Sequence, residues 1–173
     1  MKVLALAASS SSTSINKQLA TYAAGLVANA EVEVLDLNDF EMPIFSEDKE
    51  KELGHPELAK CFFQKIGEAD AIVISYAEHN GSYAAAFKNV FDWTSRIDMK
   101  VYQGKSVVML ATSPGPGGAA TVLAAATGSA PYFAAEVKGS LSVPSFYDNF
   151  DMEKGELCNE NLISQLKAIV AEL

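Results

Sequence analysis

Short apolar runs alternate with segments of helical period from one end of the chain to the other, and this alternation restricts the fold more than any other feature. Val3 to Ala7, Val32 to Leu35, Ala71 to Ile74, Val107 to Ala111 and a weaker run from Val137 to Val143 read as strands. Between and after them come Ile15, Leu19, Tyr22 and Leu26 behind the cap residues Thr13 and Ser14; Leu58, Phe62, Phe63 and Ile66 behind Pro56; and Phe87, Val90, Phe91 and Thr94. An Ala-rich helix from about Ala119 and a last helix carrying Leu162, Ile163, Leu166, Ile169 and Val170 complete the pattern. Five such βα units predict an α/β fold, a parallel five-stranded sheet with right-handed crossovers and helices on both faces.

The chain has 173 residues, 49% hydrophobic and 20% charged, enough for one domain over residues 1–173 with a sizeable core. Twenty-two acidic against 13 basic residues leave a net charge of -9, which argues against nucleic acid and anionic membrane surfaces as partners. Cys61 and Cys158 form no disulfide framework and no zinc spacing. The opening Val3–Ala8 run is too short for a signal-peptide core, and no stretch reaches the length of a bilayer span, so a cytoplasmic protein is expected. The mixed-charge segment Glu47–Glu52 reads as a solvated loop or helix end.

In open parallel sheets ligands bind at the carboxyl ends of the strands, so the loops after strands one, three and four are the candidate site. The first runs Ala8-Ser9-Ser10-Ser11-Ser12-Thr13-Ser14-Ile15-Asn16 into a helix. Helix-terminal N–H groups and short hydroxyls cradle an anion, a terminal phosphate above all; one or two serines would suffice for a helix cap. No Gly-Lys-Ser/Thr ending makes it a Walker loop, and no Cys followed by Arg makes it a phosphatase loop. The second, Tyr76-Ala77-Glu78-His79-Asn80-Gly81-Ser82, offers a tight turn at Gly81 and polar groups for a heteroaromatic edge. With no partner set by the sequence, His79 reads as a polar contact rather than a base. In the third, Thr112-Ser113-Pro114-Gly115-Pro116-Gly117-Gly118-Ala119, glycines admit a flat ligand and prolines stiffen the loop. Its relaxed Gly115-x-Gly117-x-x-Ala120 fingerprint, with Glu136 as acid, sits in the wrong part of the unit for a dinucleotide site.

Taken together the three loops resemble the NADPH-dependent FMN reductase family of flavodoxin-like proteins. Its first loop, Gly-Ser-x-Arg-x-x-Ser-x-Asn, is matched by Ser9, Ser14 and Asn16. Its second, Pro-Glu-Tyr-Asn with a Leu-Lys-Asn...Asp-Trp helix, is matched by Glu78, Asn80, Gly81, Ser82, Lys88, Asn89, Asp92 and Trp93. The resemblance implies a three-layer sandwich of strand order 2-1-3-4-5. FMN would be held by Ser9, Ser11, Ser14, Ile15 and Asn16 at the phosphate, and by Tyr76, Ala77, Glu78, His79, Asn80, Gly81, Ser113, Pro114, Gly115, Gly117 and Gly118 around the ring. NADPH or NADH would give a hydride to the flavin, and FMN, a quinone or a similar small-molecule acceptor would receive the electrons, with no side chain acting as acid or base.

Four positions depart from the family pattern: Ala8 for Gly, Ser11 for the phosphate-binding Arg, Ala77 for Pro and His79 for Tyr. Lys17 is a candidate replacement cation. Alternatives are a flavodoxin-type electron carrier, which would show an aromatic shield absent from the second loop, and a module whose flavin site has decayed. The family also implies a homodimer or homotetramer; Met42-Pro43-Ile44-Phe45 is either a contact surface or a loop folded back on its own core.

Overall fold

The computed structural model describes all 173 residues. Five parallel strands form the sheet: β1 (Lys2–Ala8), β2 (Glu31–Leu35), β3 (Ala71–Tyr76), β4 (Ser106–Thr112) and β5 (Glu136–Val143), arranged 2-1-3-4-5. The order reverses between β1 and β3, where a ligand crevice is expected. Register brings Ala8, Tyr76 and Ala111 into line, so the loops after β1, β3 and β4 leave the sheet side by side.

The helices are α1 (Ile15–Gly25), α2 (Glu47–Leu53), α3 (Glu57–Glu68), α4 (Ala85–Ser95), α5 (Ala120–Ser129), α6 (Phe146–Asn149) and α7 (Glu160–Val170). Strand alternation divides the core into two layers. Leu4, Leu6, Ile72, Ile74, Tyr76, Val107 and Met109 meet α3, α4 and α5, while Val3, Ala5, Val73, Val108 and Leu110 meet α1 and α7. β1, β3 and β4 are buried almost throughout, as two covered faces require; β5 lies at an edge and is buried only in part.

Several local expectations are corrected. Glu47–Leu53 is a helix with no buried residue, capped by the Ser46 hydroxyl, with acids in its first turn and Glu50 held at 2.9 Å by Arg96 at the end of α4. Pro56 stands at the N-cap of α3 rather than in its first turn. In α4 Trp93 is in the core, as its apolar neighbours suggest, but Phe91, read as part of the inner face, is only partly buried. Trp93 Nε1 donates to Pro43 O at 2.7 Å, Asn89 bonds Pro43 O and Phe45 N, and Phe45 packs edge-on to Trp93. Met42 and Phe45 therefore fold back on the core, while Pro43 is exposed and Ile44 stands out furthest, 84% exposed. No helix is long and apolar enough to cross a membrane.

Candidate functional site

The loop after β1 is folded on its own hydroxyls. Ser9 Oγ accepts from Ser11 N, Ser11 Oγ from Thr13 N, and Ser14 Oγ caps α1 by accepting from Lys17 N. The N–H groups of Ser10, Ser12, Ile15 and Asn16 then have no partner in the chain. A helix start with unpaired donors, aided by its dipole, is an anion site, so the residues present fit a phosphate.

Asn16 does more than its motif suggests. Its buried amide oxygen accepts from Ser75 Oγ at 2.7 Å and Thr112 N at 3.1 Å, and Nδ2 donates to Thr112 O at 3.3 Å. One side chain at the start of α1 thereby ties together the ends of β3 and β4. Lys17 takes no place in the cradle: its ammonium lies 2.6 Å from Asp36 at the end of β2. That contact, with two further hydrogen bonds from Asn38, holds the Asp36 carboxyl down at about 2.

The second loop is a small antiparallel hairpin, Glu78–His79 against Ser82–Tyr83, with Asn80 and Gly81 both at positive φ. That is the primed turn an Asn-Gly pair favours. Glu78 turns its carboxylate to the first turn of α5, accepting from Val122 N at 2.9 Å. In the third loop Ser113 Oγ bonds back to Gly115 O. Gly118, at φ +57°, is packed against the strand rather than open to a ligand; a Cβ there would lie 2.3 Å from Ser142 Oγ and 3.0 Å from Pro144 N. Gly115 and Gly117 face open space.

A cleft of about 280 Å³ at the strand ends is lined by Ser9, Ser11, Thr13, Ser14, Ile15 and Asn16 on one side, and by Ala77, Glu78, His79, Pro114 and Tyr147 on the other. The cleft thus brings together the named residues of the first loop, half of those of the second and one of the third. Asn80, Gly81, Ser113, Gly115, Gly117 and Gly118 lie outside the lining. So does Tyr76: its side chain shares a face with Ile72 and Ile74 and lies buried on the other side of the sheet, its hydroxyl 3.1 Å from that of Tyr102. Burial pushes both phenols up, Tyr102 to about 12. Tyr147, 61% exposed and edge-on to Phe146, was missed because it follows the fifth strand, outside the three loops.

A larger cleft, about 350 Å³, lies between α4 and α5, with Tyr76, Tyr83, Phe87, Phe91, Tyr102 and Phe133 as its aromatic walls. Its walls hold no free helix-terminal donors, so the smaller strand-end cleft is the candidate cofactor site.

Known proteins resemble this chain in sequence and in fold. An NAD(P)H-dependent FMN reductase of Pseudomonas aeruginosa is 34% identical over 121 residues, 69% of this chain and 64% of that one. A 2-hydroxy-1,4-benzoquinone reductase of a Burkholderia species is 29% identical over 167 residues, 95% of this chain and 87% of that one. Among solved structures, the flavoenzyme NAD(P)H:acceptor oxidoreductase FerB of Paracoccus denitrificans superposes with a TM-score of 0.75 at 23% identity, covering 98% of this chain and 92% of that one, which establishes the shared fold. The profile of the NADPH-dependent FMN reductases matches residues 1–148, and the chain belongs to that family.

Proposed function

We propose that this NAD(P)H-dependent, FMN-linked oxidoreductase binds FMN in the strand-end cleft and reduces a small-molecule acceptor of the quinone or flavin class. The observation that carries this reading is the set of unpaired N–H groups at the start of α1, facing Ala77–His79 and Pro114 across one cleft. Ile15 and Asn16 would hold the phosphate through their backbone N–H groups, with the Ser9, Ser11 and Ser14 hydroxyls beside them. Ala77, Glu78, His79 and Pro114 would wall the ring system, and Tyr147 would cover its rim. When bound, FMN supplies the redox chemistry itself. The chain's residues bind, orient and shield, and no side chain in the lining is assigned a proton transfer.

A second copy is the proposed occupant of the α4/α5 face. No charged residue occurs between Lys105 and Glu136, and Thr121, Ala124, Ala125, Gly128 and Tyr132 form an exposed stripe on α5 and the turn after it. A helix with no charge on any face and small residues on its exposed side is one a second chain can cover. Lys88 and Asp92 at the cleft rim are self-complementary across a two-fold axis. Cytoplasmic residence fits exposed Cys61 and Cys158 remaining as thiols.

The test is an anaerobic absorbance titration of purified protein with FMN and then NADPH or NADH. Binding followed by bleaching of the flavin band is expected, and the more effective nucleotide identifies the donor. Binding without bleaching by either nucleotide would favour a carrier reduced by another protein, and no binding would favour a decayed site.

A further inference from the structure

The strand-end cleft is built for a phosphate yet holds no Lys or Arg. Its ionisable lining consists of Glu78, His79 and Tyr147. The cleft on the far side of Ser10, about 310 Å³, is lined by Leu37, Asn38, Phe40, Glu41 and others, again without a cation. Ser11 stands where the family pattern has Arg, and Lys17, the neighbouring base, is committed to Asp36 at 2.6 Å. The chain as a whole carries -9.

We propose that the flavin phosphate is held by neutral donors alone, within a field that is negative overall, so that FMN binds more tightly as ionic strength rises and riboflavin is a close competitor at low salt. This rests on the reading of Ser9–Asn16 as the phosphate loop. The physical argument is one of sign. A cation against the phosphate makes a local attraction that salt weakens, whereas N–H and hydroxyl donors act at hydrogen-bond range and are little screened. What salt then removes is the long-range repulsion between an acidic protein and a ligand bearing about two negative charges. Riboflavin has the same ring and ribityl chain without the phosphate, so it isolates this effect from any action of salt on ring binding.

The experiment is flavin-fluorescence titration of the flavin-free protein at a pH of about 8, with FMN and with riboflavin, between about 10 mM and about 0.5 M sodium chloride, a range that shortens the screening length from about 30 Å to under 5 Å. The Kd for FMN is expected to fall roughly threefold or more, while that for riboflavin changes less than about twofold. Ser11→Arg, at an exposed position, is expected to tighten FMN relative to riboflavin at low salt and to reverse the sign of the FMN salt response. Weaker FMN binding with salt in the unaltered protein would overturn the inference. So would a tenfold or greater loss of FMN, with riboflavin retained, in Lys17→Gln, since the ammonium would then have left Asp36 for the phosphate. Identical salt responses of FMN and riboflavin would overturn it while leaving the flavin site intact, and binding of neither flavin at any salt would remove both the inference and the function it rests on.

Discussion

Replacing Asn16 by alanine tests whether one side chain holds the ligand-bearing loops in place. Asn16 is 3% exposed and its amide makes three hydrogen bonds, to Ser75 Oγ, Thr112 N and Thr112 O. Alanine would strand two buried donors, the Ser75 hydroxyl and the Thr112 N–H, in residues that are 0% and 1% exposed. An unsatisfied buried donor costs about 1–3 kcal/mol, so with two of them the variant should lose roughly 2–6 kcal/mol. At about 2–4 °C per kcal/mol for a domain of this size, that is a drop of roughly 4–24 °C in Tm. The assay is urea unfolding of Asn16→Ala, Ser75→Ala and the double variant. Once Ser75 has lost its hydroxyl, one of the two stranded donors no longer exists, so the double variant should recover about 1 kcal/mol relative to the sum of the singles. FMN affinity should fall in Asn16→Ala, because the free N–H groups at the start of α1 lose their registry with the other two loops. Stability within about 0.5 kcal/mol of the parent, or strict additivity in the cycle, would refute the argument, since surface changes alone produce effects that small.

The buried phenols give a second test. Their folded-state ionisation is raised above the ordinary tyrosine value of 10, to about 12 for Tyr102 and well above 10 for Tyr76. The unfolded chain then releases these protons first, so stability is intact below pH 10 and declines as pH climbs from there through 12. Of the six tyrosines, two should appear in an ultraviolet alkaline titration only as the protein unfolds, and six smooth transitions in the folded protein would contradict the Tyr76–Tyr102 contact. At the α4/α5 face, Tyr132→Glu puts a charge on a side chain 83% exposed. Solution mass should fall from that of a dimer to that of a monomer with thermal stability otherwise kept, and a parent protein that is monomeric throughout would refute the second-copy proposal.

The fold was legible because parallel strands covered on both faces leave a loud apolar signal. Ala71–Ile74 and Val107–Ala111 could be little else, and each was extended by only a residue or two in the structure. Elements stabilised by polar contacts distant in sequence were harder to read. The α2 helix has no buried residue to produce a period, and its Arg96–Glu50 contact spans 46 positions. The β-hairpin at Glu78–Tyr83 did carry a local signal, the Asn80-Gly81 pair, but it falls between strands of two residues, too short to show alternation.

For the proposed site, motif positions pointed to loops that the fold brings to one cleft and said less about what each side chain does there. Asn16 and Glu78 by motif, and Tyr76 by its place in the second loop, are expected at the cofactor, yet all three spend their polar groups on the scaffold: Asn16 on two strand ends, Tyr76 on Tyr102, Glu78 on the first turn of α5. Tyr76 could have been assigned by strand alternation alone, since Ile72, Ile74 and Tyr76 must share a face and Ser75 must turn the other way, toward Asn16. Glu78 could not, because nothing local announces a carboxylate capping a helix 44 residues later. The consequence is mechanical. The hairpin presents Ala77, Glu78 and His79 to the strand-end cleft and Tyr83 to the aromatic cleft, and Glu78 fastens it to α5, the helix whose bare face is proposed to meet the second copy. Packing at that face and the wall of the proposed cofactor cleft are therefore linked by the Glu78 carboxylate and the Val122 N–H as well as by the packing of the hairpin on α5, so Tyr132→Glu should disturb flavin binding only if α5 itself shifts, and not through any direct contact.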